Sequence, residues 1–381
     1  MKFNAKSSNI DIFSFFSGAG FLDLGFENQG YRVVYVNDIH EPFVNAYKYS
    51  RSKLSVAPPI YGYDICSIES VLNDSLHTKR ISKYISNSRR NCKFVGFIGG
   101  PPCPDFSIMG KSRGHLGDNG LLSRSYINTI QLFRPDFFLF ENVKGLWQTK
   151  KHRTFYEGLK LSLASYGYIM SEQLINAIQY GVPQDRDRII LFGVKKDFVS
   201  KDMIKSPYYI SNDVFNWSTN TIFPFRTAFE YKWPKTDQYN QDSVLEEPKN
   251  VPLELTVEYW FRKNKVNEHP NSNNYFQPRA GLNRFMSISE GDDSKKSFKR
   301  LHRWRYSPTA SYGNNEVHIH PYKPRRISAA EALALQSLPD SFILPESMSL
   351  TNMFKAIGNG VPYLASRGIA STIRSFLEDL K

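Results

Sequence analysis

Phe94-Val95-Gly96-Phe97-Ile98-Gly99-Gly100-Pro101-Pro102-Cys103-Pro104-Asp105-Phe106-Ser107 runs from a short apolar segment into a turn rich in glycine and proline. The first five residues are apolar and bounded by turn formers, so they read as a buried strand with the turn at its carboxyl end. In open α/β sheets that edge binds ligands. The prolines fix φ and restrict their neighbours, so the backbone sets the direction of the Cys103 sulfur. A lone cysteine is more often a buried structural thiol. The company of Cys103 elsewhere in the chain favours a held nucleophile instead.

Apolar strands expected at 10–15, 32–37, 94–98, 136–140 and 188–194 alternate with helical stretches such as 121–133 and 153–166. That alternation is the mark of βαβ units and a mostly parallel sheet, a nucleotide-type α/β fold. After Lys195 the texture changes, with Pro, Asn, Tyr and Trp common and periodicity weak up to about residue 297. Order returns with a helix at 327–338 opened by Ser328 and a last apolar helix at 362–380. The expected organisation is a catalytic and cofactor-binding domain at 1–195, a smaller irregular domain at 196–350 whose variable part spans about 196–298, and a segment at 351–381 returning to the first domain.

Composition bounds the partners. The 381 residues carry a net charge of +13, which favours a polyanion. Residues 75–93 contain no acid and read as a helix with a polar loop. A second basic run, Lys295, Lys296, Lys299, Arg300, Arg303 and Arg305, interleaves with Phe298, Trp304 and Tyr306, a pattern suited to phosphate contact with stacking nearby. Its plainer reading is an exposed helix face. Cys66, Cys92 and Cys103 have no CxxC or Cys/His spacing, so neither a disulfide framework nor a metal site is expected. No signal peptide or membrane span is read, and a cytoplasmic protein is expected.

The first strand ends in Phe16-Ser17-Gly18-Ala19-Gly20-Phe21-Leu22-Asp23, a glycine turn that lets backbone approach a nucleotide-like ligand. The dinucleotide fingerprint needs glycine where Asp23 stands, and there is no P-loop, so adenosine without a pyrophosphate fits better. Asp38, 18 residues beyond Gly20, is placed to meet ribose hydroxyls. Asp64 follows a third short strand and is placed to accept from an adenine amino group. Glu141, ending the apolar run 136–140, is a candidate acid with a raised pKa. In Gln184-Asp185-Arg186-Asp187-Arg188 the two arginines fall on one face of a strand, able to clamp an anion or a base carbonyl.

In order along the chain these blocks resemble the motifs of the DNA (cytosine-5)-methyltransferase family. The similarity takes in 11–25, 99–107, Glu141-Asn142-Val143, Gln184/Arg186/Arg188, the late helix from Arg326 to Asp340, and Ile357-Gly358-Asn359-Gly360-Val361-Pro362. The resemblance implies a Rossmann-like S-adenosylmethionine-dependent methyltransferase fold with a second, smaller, irregular target-recognition domain. It implies S-adenosyl-L-methionine held near Phe16, Gly18, Gly20, Asp38, Asp64, Pro102, Asn359 and Val361, and no metal. Cys103 is then the nucleophile toward cytosine C6, with Glu141, Arg186 and Arg188 as its catalytic partners. Lys111, Arg113, Gln184, Lys299, Arg300 and Arg303 are the expected DNA contacts.

The implied partner is double-stranded DNA, approached by a monomer of bacterial or phage type, with a cognate restriction endonuclease acting separately. Ile39 stands where the family often has an aromatic that packs on adenine, so more of that stacking is expected from Phe16 or Phe21. The competing readings are a tRNA cytosine-5 methyltransferase of the same family and a non-catalytic DNA-binding homologue. About 100 residues of irregular sequence after Lys195 favour a DNA reader, and the intact chemical groups argue against lost activity.

Overall fold

The computed structural model describes residues 9–102, 118–224, 227–278, 282–295, 297–310, 312 and 317–380. Cys103, Lys111 and Arg113 lie outside them. Among the described residues the strands are β1 (Ile10–Phe15), β2 (Arg32–Asn37), β3 (Tyr63–Asp64), β4 (Phe94–Gly99), β5 (Phe137–Val143), β6 (Tyr168–Asn176), β7 (Asp187–Lys195), β8 (Ile204–Ser206) and β9 (Tyr209–Ile210). They form one sheet in the order β3-β2-β1-β4-β5-β7-β6-β9-β8. The helices are α1 (Phe21–Asn28), α2 (Glu41–Lys53), α3 (Ile68–Asn73), α4 (Ser75–Asn91), α5 (Asp118–Phe133), α6 (Gly145–Gln148), α7 (Lys150–Ser165), α8 (Thr227–Glu230), α9 (Val257–Lys263), α10 (Leu282–Met286), α11 (Ala329–Leu335), α12 (Leu350–Asn359) and α13 (Tyr363–Asp379).

β1 and β4 are buried along their whole length, as strands covered on both faces must be. From β1 the chain winds through β2 to β3 on one side and continues through β4 to β5 on the other, all in parallel. The reversal opens a crevice at the carboxyl ends of β1 and β4, where Phe15 pairs with Gly99. β7 runs antiparallel between β5 and β6. The hydrogen-bond ladder it offers carries β5 three residues past the expected end at 140, to Val143, which pairs with Arg188. Glu141 and Asn142 therefore sit within a strand. β6 is not among the expected strands, and its Ser171-Glu172-Gln173 stretch hides it by polarity.

Three further expectations are corrected. The basic stretch after Asp74 is one unbroken helix, α4, opened by the Asp74 carboxylate accepting from Leu76 N. A domain boundary at 195 cuts into the sheet unit: β8 and β9 add to the β6 edge, and Phe215 packs its ring against those of Phe192 and Phe376. The described residues of the run 295–305 form no helix, and its arginines 300 and 303 point inward, as described below.

α13 packs on α1, with Ser366 Oγ donating to Leu22 O at 2.5 Å and Tyr31 Oη to Ala370 O at 2.9 Å. A further core joins Phe21 and Phe43 near the glycine turn to Trp260 of α9, Leu333 of α11 and Phe354 of α12. The later half of the chain is thereby anchored beside the crevice.

Candidate active site

The carboxyl ends of β4 and β5 and the start of β7 converge on the approach to Cys103. Gly100 lies so close to Glu141 that a Cβ there would stand 2.6 Å from Oε2. Asn142 Nδ2 donates to Pro101 O at 3.3 Å. These two contacts hold the backbone entering Cys103 against the end of β5. Glu141, buried, pairs with Arg188 across the β5–β7 ladder, Nε to Oε1 at 2.8 Å. Arg188 is tied back by Nη1 donating to Asp187 O at 2.7 Å, and the Asp187 carboxylate takes Lys144 at 2.7 Å. Pro102 is exposed at the rim. The arrangement gives one carboxyl and one guanidinium, mutually oriented and scarcely solvated, facing the segment that leads to the sulfur.

Arg186 does not join them. It is fully buried, donating Nη1 to Ala310 O at 3.1 Å and Nη2 to Gly358 O at 2.8 Å. Burial, with Arg188 close by, pushes its guanidinium well below the usual arginine range. Gln184 is equally enclosed, accepting from Ala310 N at 3.1 Å and donating to Leu335 O at 3.2 Å. The expected catalytic role of Arg186 and the expected DNA contact of Gln184 are corrected: both knit the approach to β7 to the chain around Ala310 and to the ends of α11 and α12. Arg186 precedes the ladder, so the two-residue alternation that aligned it with Arg188 does not apply there.

At the crevice, Phe16 and Gly18 take positive φ of 52° and 56°, and Gly20 takes 79° as the N-cap of α1. A non-glycine residue at such a φ stores strain and marks a built turn. Asp38 accepts from Gly18 N and from His40 N, each at 2.8 Å, and burial pushes its carboxyl up. Asp64 accepts from Tyr35 Oη at 2.8 Å and from Arg80. Beside the two aspartates Ile39 is 68% exposed and Ile65 42%. Carboxylates for hydroxyl and amino groups beside bare apolar surface, with open space over Gly18, fit an adenosyl group. Val361 is buried and Asn359 exposed, and a Cβ on Gly360 between them would run into the Phe21 ring. Asp64, Cys66 and His77 bring ligand atoms within 4.8 Å of one another, though the Asp64 carboxylate there already meets the Arg80 guanidinium.

The expected phosphate contacts of Arg300 and Arg303 are corrected as well. Arg300 is 1% exposed and donates to the carbonyls of Phe285, Ile288 and His320, with its guanidinium 3.8 Å from the Tyr239 ring centre. Arg303 is paired with Glu290 at 2.7 Å in the interior. Lys299 is half-buried. Sequence reading also missed Asn142 as a site residue, and Glu27 and Arg51 beneath the glycine turn. Asn142 had a signal, since it adjoins Glu141.

The strand order, the antiparallel β7 and the crevice over the glycine turn define the Rossmann-like fold of S-adenosylmethionine-dependent methyltransferases. The profile of the C-5 cytosine-specific DNA methylase family matches residues 10–375. The chain belongs to that family and is a DNA (cytosine-5)-methyltransferase. It is 55% identical to the Type II methyltransferase M.NmeDI of Neisseria meningitidis serogroup C, over 98% of this chain and 88% of that one. With M.MthTI of Methanothermobacter thermautotrophicus the identity is 26% over 97% of this chain and 98% of that one. A crystal structure described as a DNA modification methyltransferase encoded within an E. coli prophage superposes with TM-score 0.66 at 23% identity, covering 97% of this chain and all of that one (100%).

Proposed function

We propose that this enzyme is the modification methyltransferase of a Type II restriction system, methylating C5 of one cytosine within a specific duplex DNA sequence. The observation that carries the reading is the buried Glu141–Arg188 pair set against Gly100 and Pro101, on the approach to Cys103. Likeness to Type II methyltransferases along nearly the whole chain supports it.

Cytosine C5 is a poor nucleophile. In the proposed mechanism the Cys103 thiolate adds to C6, which places electron density on C5. Glu141 holds a proton at N3, and Arg188 meets the carbonyl oxygen as charge develops there. The 16–20 turn, Asp38 and Asp64 would hold S-adenosylmethionine, whose sulfonium would supply an electrophilic methyl group to C5 and leave as the neutral thioether S-adenosylhomocysteine. A water or another base then takes the C5 proton, and the C5–H electron pair re-forms the C5–C6 double bond as the C6–S bond breaks and the Cys103 thiolate leaves. The base must leave the duplex stack first, at a cost of a few kcal/mol. Among the described residues no helix is long and apolar enough to cross a membrane.

Duplex DNA carrying 5-fluorocytosine at the target, incubated with the protein and S-adenosylmethionine, should form a covalent adduct at Cys103, because fluorine blocks the elimination. Bisulfite sequencing of DNA from expressing cells should show one methylated sequence context. Adducts at Cys66 or Cys92, or methylation confined to tRNA, would overturn the reading.

A further inference from the structure

Beneath the glycine turn lies a cluster of charges apart from the Glu141 site, which meets the crevice only through the backbone of that turn. Arg51 of α2 is 2% exposed. Its Nε donates to Glu27 Oε2 at 2.8 Å, its Nη2 donates to Gly20 O at 2.6 Å, and its guanidinium stacks 4.3 Å from the centre of the Tyr47 ring. Asp23, fully buried, accepts from Ser14 Oγ of β1 at 2.9 Å. Two carboxyls and one guanidinium thus share an enclosed space, and burial pushes Glu27 up to about 7 and raises Asp23 against the pull of Arg51. Such a cluster is costly to bury, and apolar side chains of similar volume would fill the space more cheaply.

What the cluster does is hold one carbonyl. Gly20 O also accepts from Leu24 N at 3.0 Å, the first turn of α1. A Cβ on Gly20 would meet the Tyr47 ring and come within 2.8 Å of Arg51 Nη2, so turn and cluster are fitted to each other. The same turn presents Gly18 N to Asp38. We propose that Arg51, supported by Glu27, is a positioning residue that sets the conformation of the 16–20 turn and thereby the affinity for S-adenosylmethionine. The assignment rests on the reading that this turn holds the cofactor.

The test compares the wild type with Arg51→Lys and with the double variant Arg51→Met/Glu27→Gln. The double variant removes both partners of the pair and cannot donate to Gly20 O. Titration calorimetry with S-adenosylmethionine should give a Kd raised about tenfold or more in the double variant, the scale of one lost charge-assisted hydrogen bond. Its kcat at saturating cofactor should stay within about twofold of wild type, placing the loss in binding. Arg51→Lys, which retains one donor, should recover about a third or more of the lost affinity on a logarithmic scale. A folded double variant with wild-type Kd, or one whose kcat falls as far as its affinity, would overturn the assignment alone. A wild type that binds no S-adenosylmethionine would overturn both it and the reading beneath it.

Discussion

Arg186 and Arg188 stand two residues apart and have unrelated work. Arg188 faces Glu141 at the rim of the crevice, while Arg186 is enclosed and donates to two carbonyls that are 124 and 172 residues away in sequence. Replacing Arg186 by Met should therefore cost about 3 kcal/mol or more in a denaturant melt, since buried carbonyls lose their donors. Glu141→Gln should instead lower the single-turnover methylation rate about 100-fold with a small change in melting temperature. Reversal of that pattern would exchange the two roles. His318 offers a pH test. Burial, with Lys299 and Arg326 nearby, pushes its imidazole down to about 3, and Tyr312 Oη lies 3.4 Å from Nδ1. Between the ordinary histidine range and that value the unfolded chain binds the extra proton and the folded one does not. This contribution to stability is therefore complete above about pH 6.5 and is lost progressively as pH falls toward 3. His318→Gln should flatten the fall of melting temperature between about pH 6.5 and 4, and equal slopes in both proteins would refute it.

At the scale of elements, α7 carries its charge at the wrong end. Lys150, Lys151, His152 and Arg153 occupy its first turn, where the helix dipole favours acids, and the Thr149 N-cap offers no side-chain hydrogen bond. Lys150 and Lys151 are exposed, and α7 follows β5 after the six residues 144–149, which starts it from the carboxyl end of β5 where Glu141 sits. An anionic partner would offset the unfavourable placement. Lys150→Gln/Lys151→Gln should weaken DNA binding across sequences and reduce the slope of log affinity against log salt by about one unit for each phosphate no longer neutralised. An unchanged slope would return this turn to a solvated surface. The same experiment on Arg300 and Arg303 should report unfolding, because those side chains are already spent internally.

For the whole molecule, the decisive feature is where the sheet unit ends. Residues 204–217 close its β6 edge, with Trp217 Nε1 donating to Ser171 Oγ at 2.8 Å and Phe215 stacked on Phe192. We assign target choice to the region beyond them. A chimera that takes residues 218–297 from a relative with another target, but keeps Trp260 and Glu290, should fold and move methylation to that relative's site. One that takes 196–297 should lose about 3 kcal/mol or more by removing aromatic packing from the shared core. Bisulfite sequencing and melting curves on both check this, and a stable 218–297 chimera that kept its original target would place specificity elsewhere.

Strands β1 and β2, to the residue, the turn at 16–20 and the order of the motifs along the chain are legible in the sequence alone. Those features are local: a largely apolar run between turn formers has few conformations that bury it, and glycine spacing marks where the backbone must take positive φ. The fate of the long charged side chains depends on contacts made only after folding. Arg51, Arg186, Arg300 and Arg303 look like their solvated neighbours in sequence, yet each is buried because carbonyls or carboxylates distant along the chain meet it there. The extension of β5 through Glu141 and the true edge of the sheet unit were hidden for the same reason. Both depend on partners, β7 and β6, that come alongside only once the chain has folded.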